Sequence, residues 1–487
     1  MKNILVQIIL IVLSILVSNN ILSQNIYFYA QINDNSLIPT KKSTTSVRSI
    51  TFKSKNSKMN TMLLKYKPKV FKQAFPTAKT PLLRKVFYIE CDDKRFEEEL
   101  KSEFGNKIPL VEDLCKPELL SYTPNDYNPC QTNLDLIKTK DAYNYYKNLP
   151  KVPVALTDTY FETHEDLLYL DIWGNNSYVG SSHGTHVAGL IGAITDNNTG
   201  IASVGYDTKL VGSSNWGSDN EVLLLAQAGY RVINCSWKNA CSYSSIQNLL
   251  YQEIKNDWNA VVVFAAGNKS CGGGGEYCYP ASYPANISVT SVTHGNNPDW
   301  HEQTPGDPNS AYQHNDAVDI CAPGYNLYTT DLMGSAGTSS GNYSSGWGTS
   351  YSAPQVAGVV GVIFTINPCL TADEAVNILL NSTDNSLYGK PENAPYIGLL
   401  GKGRLDIEAA VKAAVESATL YLENQTISNN QNYNANYAIK INNVTIQNNA
   451  NIILKTRKEV DINSAFEVKL GSSLMVDVDI NNTIDCQ

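Results

Sequence analysis

From residue 152 onward, short apolar runs rich in β-branched residues alternate with helix-length segments. The runs lack the polar alternation of a half-exposed strand and lie at 152–157 (VPVALT), 209–214 (KLVGSS), 231–237 (RVINCSW) and 260–268 (AVVVFAAGN). Strands buried on both faces of a parallel sheet have this pattern. The helical segments between them lie near 184–194, 221–230 and 244–258. The pattern predicts an α/β domain with helices on both faces of a parallel sheet, and ligands of such sheets bind beyond the carboxyl ends of the strands.

The regions on either side have different patterns. Before this domain, 86–91 predicts a strand, and 92–105 predicts a helix that begins on acidic residues and ends at Gly105. These indicate a small α+β module. After residue 417, short runs at near-regular spacing predict a small all-β or β-solenoid-like module: YAIKI, NVTI, NIILK, EVDI and FEVKLGSSLMVDV. Thr371 and Glu374 form a capping-box pattern at the start of the preceding helix.

The first 23 residues predict export. A lysine precedes an apolar run from Ile4 to Val17, and a short polar stretch ends at Ser23. This is typical of a cleaved secretory signal peptide, and a single-pass anchor is the weaker alternative because the run is short for a membrane span. We expect no membrane span after the signal is removed.

Charge and cysteine content narrow the functional class. A net charge of -9 in 487 residues argues against a nucleic-acid partner, which requires a basic face. The ten cysteines of an exported chain are expected to form disulfides. Cys235 with Cys241, and Cys271 with Cys278, are close enough in sequence for local pairs, although spacing alone leaves the connectivity open. Neither spacing suits a zinc site.

Three polar residues lie where the strands and helices of the predicted sheet begin or end. Asp158 directly follows the first strand, His183 begins the small-residue segment HGTHVAGLIGAI, and Ser350 lies in GTSYSAPQVAG. Gly348 permits close backbone approach there, and Pro354 suits a first helical turn. Any one of them alone would be read as a capping carboxylate, a packed imidazole or a loop hydroxyl.

Five segments in order resemble the catalytic blocks of the subtilisin-like serine proteases. They are LTDTYFETHEDL, HGTHVAGLIGA, VINCSW, VVVFAAGN and GTSYSAPQVAG, and the similarity extends over about residues 120–417. The order Asp, His, Ser is the one found in subtilisin. The resemblance implies that Ser350 is the nucleophile, His183 the general base and Asp158 its partner. It also implies that Asn268 donates to the oxyanion.

The resemblance implies a substrate cleft as well. Extended peptides would bind along 213–219 and along Ser236, Trp237, Lys238 and Asn239, with Ala265, Ala266 and Gly267 nearby. We expect Trp237 to narrow or roof a pocket. Lys238 either favours acidic or polar residues in the substrate or is simply a solvated charge.

Several positions depart from the family pattern. Tyr160 replaces the glycine that usually lies two residues after the aspartate, Tyr351 replaces methionine, and Gln355 replaces histidine.

The chemistry requires no cofactor. The segment 195–200 (TDNNTG) resembles a calcium loop of the family, but it also suits an ordinary asparagine-rich turn.

Together with the predicted signal peptide, the resemblance implies a secreted serine endopeptidase made as a zymogen. Its partners would be protein or peptide substrates and its own propeptide, which would assist folding and block the cleft until cleavage between Leu119 and Asp126. The C-terminal module is expected to serve adhesion or export, and the secreted protein would be either extracellular or held at the cell surface through this module. The expected division is a signal peptide at 1–23, a propeptide at 24–120, a catalytic domain at 121–417 and a C-terminal module at 418–487.

Two other functions compete with this one. A catalytically silent, surface-associated peptide-binding relative is favoured by Tyr160, by the altered 236–239 segment and by the tail. It is disfavoured by the intact Asp158, His183, Asn268 and Ser350. An esterase would need a G-x-S-x-G turn and a different order of the three residues.

Overall fold

The structure is a computed structural model that describes residues 26–42, 51–91, 93, 95–114, 122–177, 180–463, 465–481 and 486. The predicted signal peptide at 1–23 lies outside the described residues, and so does the start of the expected cleavage window. The chain divides into two compact units, residues 1–119 and 120–487.

The first unit is an antiparallel sheet with two helices packed on it. Its elements are β1 (Ile26–Gln31), β2 (Thr40–Lys42), β3 (Thr51–Lys53), α1 (Ser57–Tyr66), β4 (Val70–Gln73), β5 (Val86–Cys91), α2 (Arg95–Phe104) and β6 (Leu110–Leu114). The main sheet has the order β4-β5-β1-β6. Phe28, Ile89 and Phe96 are fully buried in one apolar cluster that both helices join. The predicted strand and helix, and the α+β class of the module, are confirmed.

The second unit begins with a seven-stranded parallel sheet and its helices. Its elements are α3 (Thr132–Leu136), α4 (Thr139–Tyr146), β7 (Val154–Thr157), β8 (Leu170–Ile172), α5 (His183–Gly192), β9 (Leu210–Ser213), α6 (Asp219–Gln227), β10 (Val232–Cys235), α7 (Ser245–Asn256), β11 (Val261–Ala265), β12 (Ile287–Val292), β13 (Ile320–Pro323), β14 (Leu327–Thr330), β15 (Tyr343–Gly346), α8 (Thr349–Ile366), α9 (Ala372–Asn381) and α10 (Ile407–Ser417). The sheet order is β13-β12-β11-β10-β7-β9-β8. All four predicted strands and all three predicted helices are confirmed, as is the capping box of Thr371 and Glu374.

Register aligns the ends of the central strands. Cys235 pairs with Thr157 on one side and with Phe264 on the other. The residues that follow β7, β10 and β11 therefore emerge at the same edge of the sheet, which is where parallel sheets bind ligands.

Helix α8 passes through the middle of the second unit. Every residue from 351 to 366 is buried, and the helix lies against α5 and strands β10 to β13. Helix α8 is long and apolar enough to cross a membrane, so the expectation that no segment after the signal peptide has such a length and composition is wrong. However, 94% of its apolar window is buried inside the protein. It has the character of a core helix.

The last strands form two parallel sheets. They are β16 (Thr419–Ile427), β17 (Gln431–Ala435), β18 (Ala438–Ile446), β19 (Asn451–Thr456), β20 (Glu459–Ile462), β21 (Glu467–Val468) and β22 (Ser473–Val478). One sheet has the order β16-β18-β20 and the other β17-β19-β22. Successive strands of the chain alternate between the sheets, as in a β-solenoid, around a shared apolar cluster. The exception is β20 and β21, which both pair with β18. The runs YAIKI and NVTI belong to the single strand β18, and β16 and β17 were not predicted.

The cysteine pairs differ from those expected. Disulfides join Cys241 to Cys271 and Cys369 to Cys486, whose Cα atoms lie 5.4 and 5.1 Å apart. The candidate local pairs Cys235–Cys241 and Cys271–Cys278 do not form. Cys235 is fully buried in strand β10 and Cys278 is also fully buried, so neither thiol reaches the loop cysteine nearest to it in sequence.

Candidate active site

Asp158 and His183 form a hydrogen-bonded pair at the edge where the parallel strands end. His183 Nδ1 lies 2.7 Å from Asp158 Oδ1, which also accepts from the N–H of Thr159 at 2.7 Å. Asp158 is 2% exposed and follows β7 directly, whereas the imidazole remains partly exposed at the start of α5. A carboxylate can only accept, so the Nδ1 atom carries the proton and the lone pair lies on Nε2.

The electrostatics of the pair suit a general base. Burial lowers the pKa of His183, but the charge of Asp158 and the hydrogen bond to it outweigh burial, and the net pKa is raised above its ordinary value. Asp158 therefore stabilises the imidazolium that would form when His183 accepts a proton.

Small residues let α5 pack closely enough to hold His183. A Cβ atom on Gly189 would lie 2.2 Å from Thr330 Oγ1 on β14. The hydroxyls of Thr329 and Thr330 donate to the carbonyls of His186 and Thr185, each at 2.7 Å. The N-terminal half of α5 is thus fixed against β14.

Ser350 is the second residue of α8, and its backbone is tied to Ser236. Ser350 Oγ donates to the Ser236 carbonyl at 3.2 Å, and Ser236 Oγ donates to the Ser350 carbonyl at 2.9 Å. Pro354 lies in the second turn of α8 rather than in the first turn as expected. Because proline has no N–H, Pro354 cannot donate the helical hydrogen bond to the Ser350 carbonyl four residues earlier, and the Ser236 hydroxyl donates to that carbonyl instead.

The structure describes both side chains and shows no hydrogen bond between Ser350 and His183. Catalytic hydrogen bonds are often long or poorly aligned without substrate and tighten only in the complex. Rotation of the Ser350 side chain away from the Ser236 carbonyl would release its hydroxyl for His183.

Asn268 presents an oriented amide beside the N-terminus of α8. Its Oδ1 accepts from the Thr349 N–H at 3.0 Å and from the Thr349 hydroxyl at 3.2 Å, which leaves the Nδ2 hydrogens for another acceptor. Thr349 Oγ1 also accepts from the N–H of Gly267 at 3.1 Å. The N–H of Ser350 is among the first four of α8, which lack partners inside the helix. Asn268 Nδ2 and the Ser350 N–H are together suited to hold an oxyanion.

The 236–239 segment follows β10 at the same edge. Ser236 is 5% exposed, and Asn239 Nδ2 donates to Asp219 Oδ1 at 3.2 Å. The Trp237 indole lies in the core, where its N–H donates to Thr157 Oγ1 at 2.8 Å and its ring meets Phe264 edge-on. The indole therefore does not roof a pocket. A role in substrate contact for these residues, and for Ala265, Ala266 and Gly267, stays a prediction.

Tyr351 has partners that sequence reasoning missed. Its hydroxyl lies 2.7 Å from His186 Nδ1, and His186 Nε2 lies 2.9 Å from Asp331 Oδ1. His186 belongs to the HGTH motif but had no predicted role, and Asp331 directly follows β14. Asp331 is 145 positions from His186, so no local pattern in the sequence indicates this contact. It forms because α5 packs against β14, which Asp331 follows.

The 195–200 segment does not fit a calcium cage. Asp166 accepts from Asn197 Nδ2 and from the N–H of Ile201, both at 3.0 Å, and Asp126 Oδ2 accepts from the N–H of Asn197 at 3.0 Å. Burial raises the pKa of Asp166 to about 7. The segment's own carboxylate, Asp196, accepts from the N–H of Asn125 at 3.0 Å and from the Tyr122 hydroxyl. Of the six oxygens of these three carboxylates only Asp126 Oδ1 has no protein partner, whereas calcium takes six to eight oxygens. The described residues hold no cluster of three acidic, histidine or cysteine side chains suited to a metal ion.

Comparison with known proteins agrees with this geometry. The subtilase family profile matches residues 151–399, just over half of the chain. The chain is 32% identical over 254 residues to an extracellular protease of Xanthomonas campestris pv. campestris, an alignment that covers 48% of this chain and 40% of that protein. It is 29% identical over 263 residues to thermitase of Thermoactinomyces vulgaris, covering 50% and 85% of the two chains.

A third relative is covered over most of its length. Subtilisin Savinase of Lederbergia lenta is 30% identical over 278 residues, which is 54% of this chain and 91% of the relative. This match and the family profile together show that the chain belongs to the subtilase family, whose members are serine endopeptidases.

Proposed function

We propose that this protein is a secreted endopeptidase that cleaves peptide bonds through Asp158, His183 and Ser350. The observation that carries the proposal is the 2.7 Å Asp158–His183 hydrogen bond at the sheet edge where α8 begins. The amide of Asn268 supports it independently, because its Oδ1 is anchored by the Thr349 N–H, which leaves its Nδ2 hydrogens for another acceptor.

The mechanism follows from the donors and acceptors of the site. Ser350 Oγ attacks the scissile carbonyl carbon while His183 Nε2 takes its proton, and Asp158 stabilises the imidazolium. Asn268 Nδ2 and the Ser350 N–H hold the negative charge on the former carbonyl oxygen. His183 then gives its proton to the leaving amine, and the acyl-enzyme on Ser350 remains. Water activated by His183 hydrolyses that ester and restores the Ser350 hydroxyl.

Substrate would bind as an extended strand. Segments 213–219 and 236–239 follow the strands β9 and β10, which flank β7 in the sheet, and would supply main-chain hydrogen bonds. Lys238 is half-buried and would bias the cleft toward acidic or polar residues.

Secretion and zymogen processing form the second part of the proposal. The predicted signal peptide directs export, and the α+β unit before residue 120 is the propeptide, removed by a cut between Leu119 and Asp126. The β-solenoid-like module at 418–487 would stay joined to the catalytic part through Cys369–Cys486 and would serve attachment at the cell surface.

The test compares the chain from Gln24 onward as wild type and as Ser350→Ala. At the mean residue mass of this chain, 53.5 kDa over 487 residues, a propeptide of 24–120 weighs about 11 kDa. We expect intact mass spectrometry to show this loss with time in the wild type alone. If both chains stay whole, self-processing is refuted. Labelling of trimmed protein by a fluorophosphonate would then separate an enzyme activated by another protease from a silent binding protein.

A further inference from the structure

Tyr351 ends a buried chain of hydrogen bonds that starts at a second carboxylate. Asp331 is completely buried, and its Oδ1 accepts from the N–H of Leu332 at 2.8 Å and lies 2.9 Å from His186 Nε2. Asp331 Oδ2 accepts from the N–H of Ser339 at 2.9 Å. His186 Nδ1 in turn lies 2.7 Å from the Tyr351 hydroxyl.

The protons along this chain can be assigned. Burial alone would raise the pKa of Asp331, but hydrogen bonds from His186, Ser339 and Leu332 outweigh it, and the pKa is lowered. Burial lowers the pKa of His186, so its ring is neutral near pH 7. An ionised Asp331 can only accept, so His186 carries its proton on Nε2. The Tyr351 hydroxyl must then donate to His186 Nδ1, which fixes the direction of the phenol.

The phenol fixed in this way lies against the catalytic imidazole. The rings of Tyr351 and His183 are 5.9 Å apart and nearly perpendicular, at 88°. Tyr351 also packs with Leu190 and Leu327, both buried. A Cβ atom on Gly346 would lie 2.1 Å from the Tyr351 hydroxyl, so β15 leaves no space for the ring to move in that direction.

We propose that Tyr351, held by Asp331 and His186, is a positioning residue for His183. The inference rests on the proposed function, since it assigns a role only if His183 is the general base. His183 lies at the first position of α5 and is held on one side by Asp158. The Tyr351 ring confines the imidazole on another side and keeps Nε2 directed at the nucleophile. Misplacement of reacting groups by about 1 Å can cost 10²-fold in rate, so a confining wall has a measurable effect.

The experiment uses the full chain from Gln24, with Tyr351→Phe, His186→Gln and the double variant. Tyr388→Phe is the matched control, because the Tyr388 hydroxyl also donates to one acceptor, the Gly401 carbonyl at 2.6 Å, but has no part in this chain. We expect Tyr351→Phe to lower kcat about 3- to 30-fold with KM changed less than twofold, because the ring acts on the chemical step and not on substrate binding. Tyr388→Phe should leave both constants unchanged.

The double variant tests whether the residues act as one unit. If His186 acts only by holding Tyr351, Tyr351→Phe/His186→Gln should lose no more activity than the worse of the two single variants. The proton NMR signal of His183 Nδ1–H should broaden in Tyr351→Phe and stay sharp in Tyr388→Phe. Because His186→Gln has the same readouts, the test stands even if one variant fails to fold.

Two outcomes separate this inference from the proposed function. If the wild type reacts with a fluorophosphonate at Ser350 but Tyr351→Phe retains its kcat and its NMR signal, the positioning role is refuted and the endopeptidase stands. If the wild type neither reacts nor hydrolyses peptides, the proposed function fails and the positioning role fails with it.

Discussion

Substitution of Gly348 by alanine should damage catalysis more than stability. Gly348 caps α8 with a φ of +118°, a left-handed conformation that side chains rarely adopt. Its added Cβ would lie 2.9 Å from Asn268 Nδ2, while ordinary non-bonded contacts are about 3.5 Å or longer. Hydrogen bonds with Ser236 and Asn268 hold the backbone of α8 in place. The Asn268 amide must therefore be the group that moves, by about 0.6 Å or more, to restore an ordinary contact distance.

The size of the effect follows from the oxyanion-binding role proposed for the Asn268 amide. Oxyanion donors act at about 2.7–3.1 Å, so such a displacement removes much of the hydrogen bond. We expect kcat to fall toward the roughly 10²- to 10³-fold loss that removal of such a donor causes in subtilisin itself. The positive φ adds a stability loss of about 1–2 kcal/mol.

Gly398→Ala is the matched control for the strain. Gly398 also has a positive φ, +81°, but its added Cβ would meet nothing within 4 Å. Denaturant unfolding is measured for both variants in a Ser350→Ala background, which prevents self-digestion, and kcat is measured in the active background. Both variants should lose similar stability, and only Gly348→Ala should lose kcat beyond tenfold. Equal kcat in the two variants would refute the assignment of Asn268 as an oxyanion donor.

Three further predictions concern charge, cross-linking and specificity. His183 must be neutral to act as a base, so kcat/KM should rise with pH through its raised pKa. Asp158→Asn should move that midpoint to lower pH and cut kcat by about 10⁴-fold, the loss that the same substitution causes in chymotrypsin-type proteases. Cys241→Ala/Cys271→Ala opens a cross-link between residues 30 positions apart and should cost about 3.6 kcal/mol in denaturant unfolding. An unchanged midpoint would show that the disulfide contributes no stability. Lys238→Ala should weaken the preference for acidic residues in a peptide library, and an unchanged profile would contradict the role given to Lys238.

Patterns local in sequence predicted the parallel sheet and its site. Strands β7, β10 and β11 are buried on both faces, so each appears as an uninterrupted apolar run that propensity and burial both favour. The carboxyl ends of neighbouring parallel strands meet, and Asp158 and Asn268 could therefore be placed at one edge from the order of the strands in the sequence.

Features that depend on distant contacts were not predictable in this way. Strand β16 is largely exposed and is held by backbone pairing with β18. Its residues therefore lack the alternation of apolar and polar side chains that predicts a strand. The Cys241–Cys271 pair depends on two loops that meet only after the sheet has formed. The Trp237 indole turns into the core, where Thr157 accepts its N–H. Whether a side chain just after a strand points into the core or into the cleft cannot be predicted from the sequence. Tyr351 stood out as unusual, but its connection to position 331 could not be inferred.

In the proposed mechanism Ser350 is a nucleophile activated by the Asp158–His183 pair. The most direct measurement is the reaction of trimmed protein with a fluorophosphonate, followed by peptide mapping in wild type and in His183→Ala. We expect a single stoichiometric adduct on Ser350 in the wild type and a labelling rate lowered by orders of magnitude in His183→Ala. An adduct on another residue, or labelling of Ser350 at the same rate without His183, would contradict it.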